Sequence, residues 1–315
     1  MAGRLSLHSV SAPFAELDEQ SKVVRRDSFK KIADRFLLGN QIGEGGMSVV
    51  YNAMDLETGN MVAVKQMRKR NRKYPSCWEN QIKTAVSEVA ALLRLEHKGI
   101  VQMVEAVFEG GIPHIVLEKL EPLSLRDAME HPKIKEQLRS VRKCLEMSSD
   151  LCSAIAHMHS QDVIHRDIKP GNIFITAEGP KLFDFGLAKS PGGFDPKEED
   201  PEIIIGSIPY MSPEQAGSGN PIGPHSDLYS LGATMHWMFS SGKPLFDARN
   251  DMVFLYCHRH EVPKPVNSIN PEVPGSVAAV VEKALQKDPK DRFSSAVDMK
   301  KAIDGCLQSL PVSWH

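Results

Sequence analysis

Cysteine is sparse in this chain, long apolar runs are missing, and net charge is close to zero. Each shortage removes a class of protein. The five cysteines, Cys77, Cys144, Cys152, Cys257 and Cys306, are scattered and none forms a C-x-x-C pair. Neither a zinc site nor a disulfide framework is indicated, and a reducing, cytosolic setting fits. No apolar run approaches the roughly 20 residues of a membrane span, and Met1 to Phe14 lacks the apolar core of a secretory signal. The formal net charge is -2, so no global basic field argues for nucleic acid or an anionic membrane. Internal repeats and low-complexity tracts are also absent. What remains is 315 residues, 41% of them hydrophobic, enough to bury a substantial core in one large domain or two lobes sharing a cleft.

The first 34 residues are polar and weakly patterned, and read as an extension, flexible or docked. From Phe36 the texture changes. Phe36-Leu37-Leu38, Val49-Val50-Tyr51 and Met61-Val62-Ala63-Val64 are short apolar runs between glycine-bearing turns, with Thr58-Gly59-Asn60 as a hairpin turn. This pattern predicts an antiparallel sheet. Thr84 to Leu95 follows at helical spacing, with Val89, Leu92 and Leu93 on one face. Two more strands are expected, around Val101–Phe108 and His114–Glu118. The remainder is mainly helical, with Gln137–His159, Asp227–Ser240 and Val277–Leu285 as buried-helix candidates. A small hairpin of Ile173-Phe174-Ile175 and Lys181-Leu182-Phe183 interrupts them.

The chemistry is concentrated in His165-Arg166-Asp167-Ile168-Lys169-Pro170-Gly171-Asn172, followed by Asp184-Phe185-Gly186. Two carboxylates and an amide at this spacing suit one task. Asp167 can orient and deprotonate a substrate hydroxyl, while Asn172 and Asp184 hold the magnesium of a nucleoside triphosphate. Upstream, the glycine-rich stretch from Ile42 to Val50 lies between two expected strands. Glycines let a backbone pass closely over phosphates, although alone such a loop is more often a plain turn. Val62-Ala63-Val64-Lys65 stands at the right distance beyond it, which makes a surface strand lysine the weaker reading of Lys65. Arg68-Lys69-Arg70-Asn71-Arg72-Lys73 could bind an acidic partner, but a solvated loop is the simpler reading. His157 and His159 sit two apart on one helix, so they face different sides and cannot form an i, i+4 metal pair.

H-R-D-x-x-x-x-N, D-F-G, the glycine loop and the V-A-V-K lysine, in this order, resemble the protein kinase family over roughly Arg35 to Leu310. Gly45-Gly46-Met47-Ser48, Ser212-Pro213-Glu214-Gln215-Ala216 and Ser226-Asp227-Leu228-Tyr229-Ser230-Leu231-Gly232 are similar to the eukaryotic-like serine/threonine kinases of bacteria. The resemblance implies an α+β, two-lobed protein kinase fold. After the extension, 1–34, come a small antiparallel β-rich lobe with one main helix, 35–118, and a larger, mainly helical lobe, 119–310; 311–315 form a tail. It implies ATP and Mg2+ as cofactors. Ile42, Gly43, Glu44, Gly45, Gly46, Met47, Ser48, Val49 and Val50 cover the nucleotide, with Ser48 where the family has a third glycine. Lys65 pairs with phosphates and with Glu88, whose rivals are Glu79 and Glu96. Glu118 and Leu120 meet adenine through their backbone, and Val50, Ala63 and Phe174 enclose its ring. Asp167 is the catalytic carboxylate, Lys169 offsets charge on the transferring group, and Asn172 and Asp184 are the metal ligands. His165 is structural and packs near Phe185.

The implied function is a cytoplasmic serine/threonine protein kinase that transfers the γ-phosphoryl of Mg-ATP to protein substrates, with no nucleic-acid partner. One alternative is a pseudokinase scaffold that binds nucleotide and partners. Such proteins commonly lack one of the residues that stand here as Lys65, Asp167, Asn172 and Asp184. Against a small-molecule kinase stands the Ser212-Pro213-Glu214 substrate platform. Two further expectations follow from the family. Glu214 should pair with Arg292. Arg166 should need an anion from the segment between Gly186 and Gly206, commonly a phosphothreonine. That segment has no threonine and only Ser190 as a hydroxyl, so Asp200 and Glu202, with Lys189, are the candidates. The alternative is a solvated acidic loop that touches nothing.

Overall fold

The computed structural model describes residues 30–46, 48–68, 75–120, 123–138, 140–199 and 203–311. Six strands form one sheet: Lys31–Ile32 (β1), Phe36–Glu44 (β2), Ser48–Asp55 (β3), Met61–Met67 (β4), Met103–Glu109 (β5) and Ile112–Glu118 (β6). Their order is β1-β2-β3-β4-β6-β5, and every neighbouring pair is antiparallel. Gly59 supplies a φ of +74° at the β3–β4 turn, a conformation that only glycine adopts freely. β4 is central and covered on both faces. Val62 and Val64 enter a cluster with Ile32, Phe36, Leu38, Ala53 and Val116. Strand alternation sends Ala63 and Lys65 to the opposite face, which is how a lysine comes to be only 6% exposed.

The sheet begins upstream of the boundary expected at Arg35. Lys31 and Ile32 pair with Leu37 and Phe36, and Ile32 is fully buried. Arg35 fixes the intervening turn through ion pairs to Asp55 at 2.7 Å and Glu105 at 2.9 Å. Ile32→Ala is therefore expected to cost about 2–4 kcal/mol, seen as a fall of several degrees in Tm. An unchanged melting curve would put residues 30–34 outside the fold.

The helix after β4, Pro75–Leu92 (α1), extends well upstream of the expected Thr84. Ala85, Glu88, Ala91 and Leu92 face inward. Leu93 was expected beside them but is 73% exposed, because the helix gives way to a turn after Leu92.

The second lobe contains Leu125–Ala128 (α2), Pro132–Leu138 (α3), Val141–Ser160 (α4), Pro196–Glu199 (α5), Pro224–Phe239 (α6), Asp251–His260 (α7), Val266–Ile269 (α8), Gly275–Ala284 (α9) and Ala296–Ser309 (α10). Ile173–Thr176 (β7) and Gly179–Leu182 (β8) form the expected hairpin. The stretch read as one helix from Gln137 is divided at Ser140, whose hydroxyl caps α4 by accepting from the Lys143 N–H. α6 is buried along nearly its whole length. Gly232 lets α9 approach it closely, since a Cβ there would lie 2.7 Å from that of Ala284. One apolar core runs from Ala63, Ile115 and Leu117 of the sheet through Leu92 to Leu145, Leu151 and Leu228, so both lobes rest on it beneath the cleft. Among the described residues no helix is long and apolar enough to cross a membrane.

Candidate active site

Between sheet and helices lies a cleft of about 260 Å³. Ile42, Gly43, Glu44, Gly45, Ser48 and Val50 of the β2–β3 hairpin line it. So do Ala63 and Lys65 of β4, Glu118, Lys119 and Leu120 of the linker, and Phe174 of β7. Gly46 is at the open tip, where a Cβ would meet nothing within 4 Å. Val49 is turned to the other face of β3 by strand alternation and is 3% exposed. Met47 lies outside the described residues. Phe183 lines the cleft as well and meets Phe174 edge-on at 5.1 Å. Phe183 stands directly before Asp184, which is the sequence signal for its place in the cleft.

Lys65 Nζ stands 2.7 and 2.8 Å from the two Glu88 oxygens and 2.7 Å from Asp184 Oδ1. Glu88, not Glu79 or Glu96, is thus the partner. Burial disfavours the Lys65 charge, but the two carboxylates outweigh it and hold the ammonium well above the usual lysine range. Burial also pushes Asp184 upward. Lys65 reverses that and brings its pKa to about 2, so it is ionised at neutral pH.

The loop carrying Asp167 is held from α6. Asp227, fully buried, accepts the N–H groups of His165 and Arg166 at 2.9 Å each, and its carboxylate lies 2.8 Å from His159 Nε2. Burial would raise the Asp227 carboxyl, but His159 and the backbone bond from His165 keep it below its usual range. Gln215 Nε2 donates to the Arg166 carbonyl at 2.7 Å. These partners fix Arg166 at φ +65°, while Asp184, held by Lys65, has φ +63°. Each left-handed non-glycine residue costs about 1–3 kcal/mol and persists only where its surroundings determine it. Both Asp227 and Gln215 stand in motifs that carry the kinase resemblance, but their contacts with the loop around Asp167 are not legible in sequence, since neither stands near Asp167 along the chain.

Asp167 Oδ2 accepts from Lys169 Nζ at 2.6 Å and from Asn172 Nδ2 at 2.9 Å, and Oδ1 accepts from the Ser207 N–H at 2.8 Å. Lys169 Nζ also reaches Ser207 Oγ at 2.5 Å. The His165 ring packs on Phe185 with centroids 4.8 Å apart, as expected of a structural residue. His157 stacks instead on His97, away from His159.

The two expected anchors come out differently. Arg292 meets Glu214 through two 2.8 Å bonds, both side chains 1% exposed or less. Arg292→Ala strands a buried carboxylate and is expected to cost about 3–5 kcal/mol. Burial would raise the Glu214 pKa, but Arg292 and Ser226 lower it overall. The pair's contribution is therefore present above the usual glutamate range and lost as pH falls through the folded value. The stability gap between Arg292→Ala and the native chain should narrow in acid, which urea titrations across pH 3 to 7 would check. Arg166, by contrast, is met by Asp195, through bonds of 2.9 and 2.7 Å, with Lys189 Nζ at 3.0 Å from the same carboxylate. The expectation had named Asp200 and Glu202 for this role; both lie outside the described residues. Arg68 of the basic run pairs with Glu44 at 2.5 Å, and residues 69–74 are outside the described set.

Comparison with known proteins agrees with this geometry. The protein kinase domain family model matches residues 36–304. A probable serine/threonine-protein kinase of Streptomyces coelicolor is 33% identical over 297 residues, which cover 90% of this chain and 41% of that protein. Serine/threonine-protein kinase PknB of Mycobacterium tuberculosis is 32% identical over 274 residues, 85% of this chain and 42% of its own length. A probable PknB of Corynebacterium glutamicum is 34% identical over 281 residues, covering 85% and 41%. The chain spans about two-fifths of the length of these relatives. With the match running through both lobes and the cleft between them, the chain belongs to the protein kinase family.

Proposed function

We propose that this protein transfers the γ-phosphoryl group of Mg-ATP to serine and threonine hydroxyls of protein substrates. The observation that carries the reading is the double engagement of Lys65, with Glu88 at 2.7 Å and Asp184 at 2.7 Å. It joins the strand, helix and loop that a phosphate-binding site must bring together.

Asp184 and Asn172 offer a carboxylate and an amide oxygen, a donor set suited to a hard cation. The Asn172 amide nitrogen is used on Asp167, which leaves its oxygen for the ion. Among the described residues no cluster of three His, Cys, Asp or Glu could hold a metal alone. Sharing its ligands with substrate phosphates is the usual arrangement for magnesium. When bound, Mg2+ neutralises charge on the phosphoryl oxygens.

The remaining work is done by the chain. Lys65 meets phosphate oxygens and is steadied by Glu88. Ile42, Val50, Ala63 and Phe174 sandwich the base, and the backbone of Glu118 and Leu120 reads its edge. Asp167 orients the substrate hydroxyl and takes its proton. Lys169, already on Asp167 and Ser207, offsets charge on the group in transfer. The unpaired cysteines Cys144, Cys152, Cys257 and Cys306 suit a reducing compartment such as the cytoplasm.

The test is transfer from γ-labelled ATP to a mixed protein substrate, followed by phosphoamino-acid analysis. Label on phosphoserine and phosphothreonine is expected. ATP binding without any transfer would instead leave a nucleotide-binding scaffold.

A further inference from the structure

We propose that Asp195 is a positioning residue that does the work of an activation-segment phosphate, acting through Arg166 to keep Asp167 aligned while the segment is unphosphorylated. The proposal rests on the kinase reading above.

Arg166 directly precedes Asp167, and its side chain is only 4% exposed. A buried guanidinium needs an anion. Both of its terminal nitrogens are taken up by Asp195 in a bidentate pair, the strongest geometry available to this couple. Lys189 adds a second cation on the same carboxylate. The backbones of Lys189 and Ile164 also bond each other in both directions at 2.9 Å, tying the segment to the loop that carries Asp167.

The turn around Asp195 has a second anchor. The Phe194 N–H donates to Ser87 Oγ of α1 at 2.6 Å, and the Phe194 ring lies 5.0 Å from Lys83 Nζ. Ser87 is the neighbour of Glu88. One short turn thus neutralises Arg166 and fastens α1 beside the Lys65–Glu88 pair. Ser190, the one hydroxyl between Gly186 and Gly206, is 2% exposed and so is not presented to a phosphate donor.

Asp195 also caps α5, accepting the Lys197 N–H at 3.1 Å. A cap alone would explain its presence. Asparagine caps as well as aspartate, but it cannot neutralise Arg166, so Asp195→Asn separates the two roles.

Native protein treated with a phosphatase, and shown by intact mass to carry no phosphate, is expected to keep its rate. Asp195→Asn is expected to lose about 100-fold in kcat, the scale of a small misplacement of catalytic groups, with little change in the KM for ATP. Asp195→Glu should recover most of that rate. Hydrogen exchange over residues 186–196 should accelerate in Asp195→Asn and not in Asp195→Glu, a readout that needs no catalysis. Asp195→Asn at the native rate would overturn the proposal, and so would a native protein active only when phosphorylated. If the native protein transfers nothing in either state while exchange still responds to Asp195→Asn, the kinase reading fails and the Asp195 brace stands. Should Asp195→Asn not fold, the phosphatase comparison and Asp195→Glu still decide.

Discussion

Asp167→Asn is expected to stop phosphoryl transfer while leaving Mg-ATP binding intact. Asparagine has the size of aspartate, and its oxygen can still accept from Ser207 or Lys169. It cannot take a proton from a hydroxyl. General-base catalysis contributes about 10²–10⁴ in rate, so kcat should fall by about 10³-fold with an unchanged Kd for nucleotide. The split between kcat and Kd matters here. Asp167 touches Lys169, Asn172 and Ser207 but does not line the nucleotide cleft. Near-native turnover in this variant would falsify the assignment of Asp167.

Asp184→Asn is expected to fail differently. Asp184 is ionised and contacts Lys65 at 2.7 Å, so the substitution removes the charge of the proposed metal ligand and one of the two anions on a buried lysine. Nucleotide affinity should lose its dependence on magnesium, and transfer should fall as well. A Lewis-acid contribution of several kcal/mol corresponds to roughly 10²–10⁴ in rate. Titrating ATP with and without magnesium checks the first part, and chelation of magnesium should bring the native protein to the same weak affinity. An equal magnesium effect in variant and native chain would remove Asp184 from the metal site.

The sequence showed its chemistry more openly than its supports. Asp167, Asn172, Asp184 and Lys65 stand in short motifs whose order resembles the protein kinase family, and that resemblance singles them out. Glu88 has Glu79 and Glu96 as rivals until the fold places it on Lys65. The strands were legible because apolar runs and glycine turns alternate locally. Helix ends were less so. Ser140 divides what apolar spacing presents as one helix, and the exposure of Leu93 depends on where α1 stops. The short β1 was missed because two residues carry no period, and only pairing with Phe36 and Leu37 reveals them. Asp227, Gln215 and Asp195 were missed for another reason. Each acts on the loop around Arg166 from at least 29 positions away along the chain. Asp227 and Gln215 stand in motifs of the resemblance, but a motif does not tell which distant backbone its polar residue meets, and Asp195 stands in no motif at all. The expectation that Arg166 needs an anion was sound, but which carboxylate reaches it is set by the path of the segment.

The central claim is that this chain catalyses phosphoryl transfer to protein serine and threonine through Asp167. The most direct test is a quantitative phosphoproteome of a phosphatase-treated lysate incubated with Mg-ATP and either the native protein or Asp167→Asn. A set of serine and threonine sites labelled by the native protein and not by the variant is predicted. Identical site occupancies with the two proteins, each shown to bind ATP, would contradict it.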